Sequence, residues 1–143
     1  MFRKLVVGTD GSARAEQAVL EAIDLAKTQG AQLHLVAVFG KGERHWETIA
    51  SSAKIDSMDL RTVAESVLAR SAAKAKEQGV EVDYTAREGE PAEAILDVAA
   101  EQEADLIVVG NKGVTGASRF LQGSVPNKIS HHSGCSVLVV RTD

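Results

Sequence analysis

Several features that would place a protein in a particular class are missing from this sequence. Cys135 is its one cysteine, so neither an intrachain disulfide nor a zinc site of four cysteines can form. No apolar run approaches the ~18 residues that a membrane-spanning helix needs. The apolar stretch that ends at Val7 is too short for a signal peptide. We therefore expect a cytoplasmic protein with no membrane partner.

Aromatic side chains and positive charge are also scarce. Aromatic residues make up 3% of the chain, so Val, Leu, Ile and Ala must pack the core. The formal net charge is -4, which argues against nucleic acid as a partner because binding a phosphate backbone requires a basic face. The 143 residues contain no repeat, low-complexity tract or linker, which predicts one domain over residues 1–143.

Short apolar runs alternate with segments of helical period along the chain. The runs predict strands at 5–9, 32–39, 80–87, 105–110 and 136–141. The helical periods predict helices at 12–30, 60–79, 91–100 and 125–131, whereas 40–56 has no clear period and is predicted to be a loop. Strands separated by helices imply parallel pairing through right-handed crossovers, so the predicted class is α/β.

Two glycine-bearing turns are expected to flank one crevice. The turn GTDGS follows the first strand, and GNKG follows the fourth. Open parallel sheets bind ligands at the carboxyl ends of their strands, where the winding reverses, so the turns meet if strands one and four are neighbours. Asp10 would then contact a base, a ribose or a metal on the phosphates, or it would only cap the first helix. For Ser12 we favour the cap.

The stretch from Gly110 to Ser124, which we call the glycine segment, has the spacing G-x2-G-x9-G-S. Gly110 and Gly113 let main-chain N–H groups approach an anion closely. Gly123 and Ser124 open the following helix, whose N-terminus favours a phosphate, and Arg119 can add a charge-assisted bond. The alternative is an ordinary loop with a serine cap. The spacing fits neither the Walker A motif nor the dinucleotide motif G-x-G-x-x-G.

These motifs together resemble the universal stress protein family. The resemblance rests on VVGTDGS, GEPAEAIL and the segment ADLIVVGNKGVTGASRFLQGSVPNKISHHSGCSVLVVR, and it covers nearly the whole chain. It implies a three-layer open sandwich of the Rossmann-like, adenine nucleotide alpha hydrolase type, with a five-stranded parallel sheet of order 3-2-1-4-5. Members with the complete glycine motif resemble ATP binders. The resemblance therefore implies ATP as ligand, with Mg²⁺ held at most through its phosphates.

The resemblance also implies roles for individual residues. The implied nucleotide-binding residues are Gly8, Thr9, Asp10 and Val38 at the adenine, Gly110 and Gly113 at the ribose and phosphates, and Gly123, Ser124 and Val125 at the phosphates. The ending GSVPNKIS is similar to a subgroup described as binding cyclic AMP. The last strand, from Ser136 to Arg141, would be an exposed apolar edge of the sheet. The resemblance to the family implies a dimer that forms through this strand. We therefore predict antiparallel pairing with a second copy of the chain.

Three functions remain open at this point. The first is a stress-response or regulatory module that binds an adenine nucleotide. The second is a slow ATPase or nucleotidyl transferase, for which the glycine segment offers no carboxylate to orient water, so we assign no catalytic residue and expect weak hydrolysis at most. The third is a protein-interaction scaffold without a ligand. His34 and Cys135 are predicted to be structural, and adjacent His131 and His132 do not converge on a metal.

Overall fold

The computed structural model describes residues 1–40, 59–111 and 125–142. Strands and helices alternate through these residues, as the sequence predicts. The elements are β1 (Lys4–Thr9), α1 (Ala13–Gln29), β2 (Gln32–Phe39), α2 (Leu60–Glu77), β3 (Val82–Glu88), α3 (Pro91–Glu101), β4 (Leu106–Gly110), α4 (Val125–His132) and β5 (Ser136–Val140). The predicted loop at 40–56 lies outside the described residues, apart from Gly40.

The sheet has the predicted order β3-β2-β1-β4-β5, and every neighbouring pair is parallel. The second and third strands are added on one side of β1, whereas the fourth and fifth are added on the other. The winding of the chain therefore reverses between β1 and β4, which places the switch point of the fold there.

Helices cover both faces of the sheet, so the fold has three layers. In β1, Leu5 and Val7 pack in a core cluster with residues of α1 and α2. Val6 points to the opposite face and packs with residues of α3 and α4. All three side chains are fully buried, which is why the central strands are apolar at consecutive positions. Among the described residues, no helix is long and apolar enough to cross a membrane.

The helix ends follow the signals in the sequence, whereas the start of one strand does not. Gly30 has φ 65° and ends α1, and Pro91 occupies the first turn of α3. β3, however, begins two residues later than predicted, at Val82 instead of Val80. The reason is that the Val80 N–H bonds back to the Ala75 carbonyl at 3.0 Å, so it belongs to the turn that ends α2.

Candidate functional site

The carboxyl edge of the sheet opens between β1 and β4. β1 stays paired with β2 as far as Thr9, and β4 stays paired with β5 as far as Gly110. The ladder that joins β1 to β4 ends earlier, at Val7 and Val108. The last two residues of each strand therefore lie outside that ladder and border a gap at the switch point. We refer to this opening as the β1–β4 gap.

One side of the β1–β4 gap is the turn GTDGS, which is held by its own side chains. Thr9 Oγ1 accepts a bond from the Gly11 N–H at 3.1 Å, and Asp10 Oδ1 accepts one from the Ser12 N–H at 2.9 Å. Ser12 Oγ accepts from the Ala15 N–H at 3.1 Å, which confirms the predicted cap of α1. Gly11 has φ 80°, where glycine is favoured. Asp10 thus fixes the turn, whether or not it also meets a ligand.

Gly8 and Val38 both have packing reasons for their identity. A Cβ added to Gly8 would lie 2.6 Å from Ile95 Cδ1, so a side chain at this position would require the end of the Ile95 side chain in α3 to shift. The Val38 side chain is 7% exposed and packs in the cluster on the α3 side. A ligand that borders these two residues would therefore meet mainly main-chain atoms and glycine surface.

The other predicted site residues belong to the glycine segment. Gly110 is the last residue of β4, on the side of the gap opposite Thr9, and Val125 is the first residue of α4. These two residues are the described boundaries of the segment. Gly113, Arg119, Gly123 and Ser124 lie outside the described residues.

A contact between α3 and α4 was not foreseen from the sequence. Glu90 caps α3 by accepting bonds from the main-chain N–H groups of Ala92 and Glu93, and Lys128 of α4 donates to its Oε2 at 3.3 Å. Burial opposes ionisation of Glu90, but the bonds from Glu93, Ala92 and Lys128 outweigh it and lower the pKa. A glutamate before Pro91 signals the cap, whereas nothing in the sequence pairs it with Lys128.

Asn111 makes a second contact that was not foreseen. It follows Gly110 and donates its main-chain N–H to the Val140 carbonyl at 2.8 Å. Its Oδ1 accepts two bonds from Thr142, one from the main-chain N–H at 2.9 Å and one from Oγ1 at 3.0 Å. The pairing depends on the register of β4 and β5, which no sequence motif reports.

Titratable side chains of the described residues do not form a metal centre. No group of three or more His, Cys, Asp or Glu residues that could hold a metal ion occurs in this part of the chain. His34 is buried on the α3 face of the sheet, where its Nε2 bonds Thr85 Oγ1 at 2.8 Å and burial lowers its pKa. This environment fits the predicted structural role of His34. Cys135 is half-buried, which fits its predicted structural role.

Comparison with known proteins points to one family. The family model described as "Universal stress protein family" matches residues 1–141. A curated relative, "Universal stress protein YxiE" of Bacillus subtilis, is 35% identical over 99% of this chain and 100% of its own length. A universal stress protein solved in complex with cAMP superposes with a TM-score of 0.77 at 27% identity, over 99% of both chains. A universal stress protein from Archaeoglobus fulgidus, solved with dAMP, has a TM-score of 0.70 at 24% identity over 96% of both chains and shares the fold.

Proposed function

The chain belongs to the universal stress protein family, and from this premise we propose that it binds an adenine nucleotide, ATP foremost, at the β1–β4 gap. The observation that carries the proposal is the intact spacing G-x2-G-x9-G-S, which begins at Gly110 on one side of that gap. The cAMP complex of a relative at 27% identity supports the same ligand class. Cyclic AMP is therefore the alternative ligand.

The elements around the β1–β4 gap are suited to binding both the phosphates and the base of a nucleotide. The glycine segment ends where α4 begins, at Val125, and the start of a helix attracts phosphate through its unpaired N–H groups and its dipole. In this proposal Gly113, Gly123 and Ser124 hold the phosphates, and Arg119 adds positive charge. Mg²⁺ would reach the site only through the phosphates. Thr9 and its neighbours in the GTDGS turn would border the adenine.

Titration calorimetry with a matched pair of glycine variants tests this proposal. Gly113→Ala adds a methyl group where main chain would approach phosphate, so we expect ATP affinity to fall at least about tenfold. Gly134→Ala is the control, because a Cβ at Gly134 meets no atom within 4 Å. ATP, AMP and cyclic AMP are titrated separately into the wild type and both variants. Failure of the wild type to bind any of them would contradict the proposal and favour the scaffold function.

We further infer that β5 forms a two-fold dimer contact. β5 is an edge strand, and its Leu138 and Val139 are 40% and 43% exposed. An apolar edge strand of this kind readily pairs with another strand, and antiparallel pairing of two copies satisfies a two-fold axis. The proposed contact covers the segment from Ser136 to Arg141.

Sedimentation measures the mass directly against the 15.1 kDa of one chain. We expect twice this mass at micromolar concentration, and a shift to the single-chain mass for Val139→Lys because a lysine places charge in the apolar contact. Leu20→Lys is the control, since Leu20 is 49% exposed on α1, where it lines a surface groove with Lys74 and Glu77 of α2. A wild type that sediments as a single chain would exclude the dimer.

The remaining parts of the proposal concern the kind of activity. We infer a single domain over residues 1–143 that acts in the cytoplasm as a regulatory binding module. Hydrolysis of ATP is expected to be weak at most, because phosphoryl transfer requires a residue that orients the attacking water, and the glycine segment contains no carboxylate. Steady-state ATPase measurement tests this point. Rapid turnover that Ser124→Ala abolishes without loss of ATP binding would instead support an enzyme.

A further inference from the structure

The end of β4 is joined to the C-terminal tail through one side chain. The main-chain N–H of Asn111 continues the parallel ladder past Gly110 by donating to the Val140 carbonyl. Asn111 Oδ1 then accepts from both the main-chain N–H and the Oγ1 of Thr142, at 2.9 Å and 3.0 Å. Thr142 follows the last residue of β5 by two positions and is only 6% exposed. We call this pair of residues, Asn111 and Thr142, the C-terminal latch.

The C-terminal latch substitutes a side chain for main chain in the ladder. In a continued parallel ladder, the residue that donates to Val140 would offer its own main-chain carbonyl to the N–H of Thr142. Here Oδ1 of Asn111 takes that place, and an asparagine is suited to it because its amide oxygen can accept two bonds. Thr142 thus stays bonded to Asn111, the residue that directly follows β4.

We propose that the C-terminal latch positions the start of the nucleotide-binding segment, so that Thr142 controls the affinity of a site to which it contributes no atom. This inference rests on the proposed function. Gly110 and Asn111 are the residues from which the glycine segment departs, and main-chain N–H groups bind an anion well only when their direction is fixed beforehand. Without the latch, binding of the ligand itself has to fix the main-chain conformation of Gly110 and Asn111. The apparent affinity for the ligand then falls.

A graded series at Thr142 tests the inference on the full-length protein. Thr142→Ser keeps both donors, Thr142→Val keeps only the main-chain N–H, and Thr142→Pro keeps neither. Since one neutral hydrogen bond corresponds to about two- to tenfold in an equilibrium, we expect Kd for ATP to rise about threefold in Thr142→Val and about tenfold in Thr142→Pro. Thr142→Ser should stay within about twofold of wild type.

A second variant removes the acceptor instead of the donors. Asn111→Ala is expected to weaken ATP binding about as much as Thr142→Pro, and the two changes together should weaken it no further than either alone, because they break the same bonds. Simple addition of the two effects would overturn the latch as their common cause.

The measurements separate the latch from a merely structural contact and from the proposed function. If Thr142→Val and Thr142→Pro lower the melting temperature while Kd for ATP stays at the wild-type value, the inference is overturned and the proposed function stands. If the wild type binds none of ATP, AMP and cyclic AMP, both are overturned. Should Thr142→Pro fail to fold, equal Kd values for Thr142→Ser and Thr142→Val overturn the inference by themselves.

Discussion

The contact between β1 and α3 at Gly8 predicts an energetic coupling that can be measured. A Cβ on Gly8 would lie 2.6 Å from Ile95 Cδ1 and 3.4 Å from Ile95 Cγ1. Ile95 is 4% exposed, so its terminal methyl must shift within a packed core. We expect that shift to cost about 1–2 kcal/mol, and replacing glycine within a strand to return about 0.5–1 kcal/mol. At the midpoints of these two ranges, Gly8→Ala should therefore destabilise the fold by about 0.75 kcal/mol.

Removal of the clashing atom should cancel most of this effect. Ile95→Val deletes Cδ1 and alone destabilises by about 1 kcal/mol. In the double variant the nearest remaining neighbour of the new Cβ is the former Cγ1 position at 3.4 Å, an ordinary contact. The double variant should then be destabilised by about 0.5 kcal/mol or less, against about 1.5–2 kcal/mol for the sum of the single effects.

Urea unfolding followed by circular dichroism gives the four free energies of this cycle. Additivity within about 0.5 kcal/mol would refute the steric argument. Gly134→Ala in place of Gly8→Ala is the control, and it should show no coupling with Ile95→Val. The ATP affinity of the double variant adds a second result. A wild-type affinity means that packing alone requires glycine at Gly8, whereas a lost affinity supports its predicted role beside the adenine.

Two further predictions concern stability. Ser12→Ala should lower the free energy of unfolding by about 1 kcal/mol because α1 loses its cap, whereas Ser12→Asp should retain most of it; urea unfolding measures both, and equal losses would contradict the cap. Burial lowers the pKa of His34 from 6.5, although Asp83 raises it, so below 6.5 the unfolded chain binds more protons than the native protein. Stability should therefore fall as the pH drops below 6.5, and His34→Gln should lack this part of the decline; identical pH profiles of the two proteins would show that His34 does not cause it.

The sheet was predictable because its signals are local or periodic. The apolar runs around Val7 and Val108 are too continuous for an exposed strand, and Gly30 marks a helix end by its own conformational freedom. The start of β3 was less predictable. Val80 and Val82 are both apolar, and only the bond from the Val80 N–H back to the Ala75 carbonyl shows that Val80 belongs to the turn that ends α2.

The contacts of the candidate site are likewise of two kinds, those between residues close in sequence and those between residues far apart in sequence. The roles of Ser12 and Asp10 in the GTDGS turn follow from residues two or three positions apart, so residue type and spacing were enough to suggest them. The bond between Lys128 and Glu90 joins residues 38 positions apart and exists only because α3 and α4 share one face of the sheet. Contacts of this second kind cannot be derived from one sequence, since many pairs of opposite charge would serve equally well.

The two sides of the β1–β4 gap differ in the same respect, because local contacts fix one side and contacts between distant residues fix the other. The β1 side is fixed by Thr9, Asp10 and Ser12 within one turn, so it forms wherever β1 and α1 form. The β4 side is fixed by Asn111 and Thr142, which are 31 positions apart, and it requires β5 to be in register first. A change at β5 or in the tail can therefore disturb the β4 side while the β1 side is unaffected. Since the proposed phosphate segment departs from the β4 side, changes remote from the ligand should alter its affinity mainly through β5 and the tail, and much less through α1.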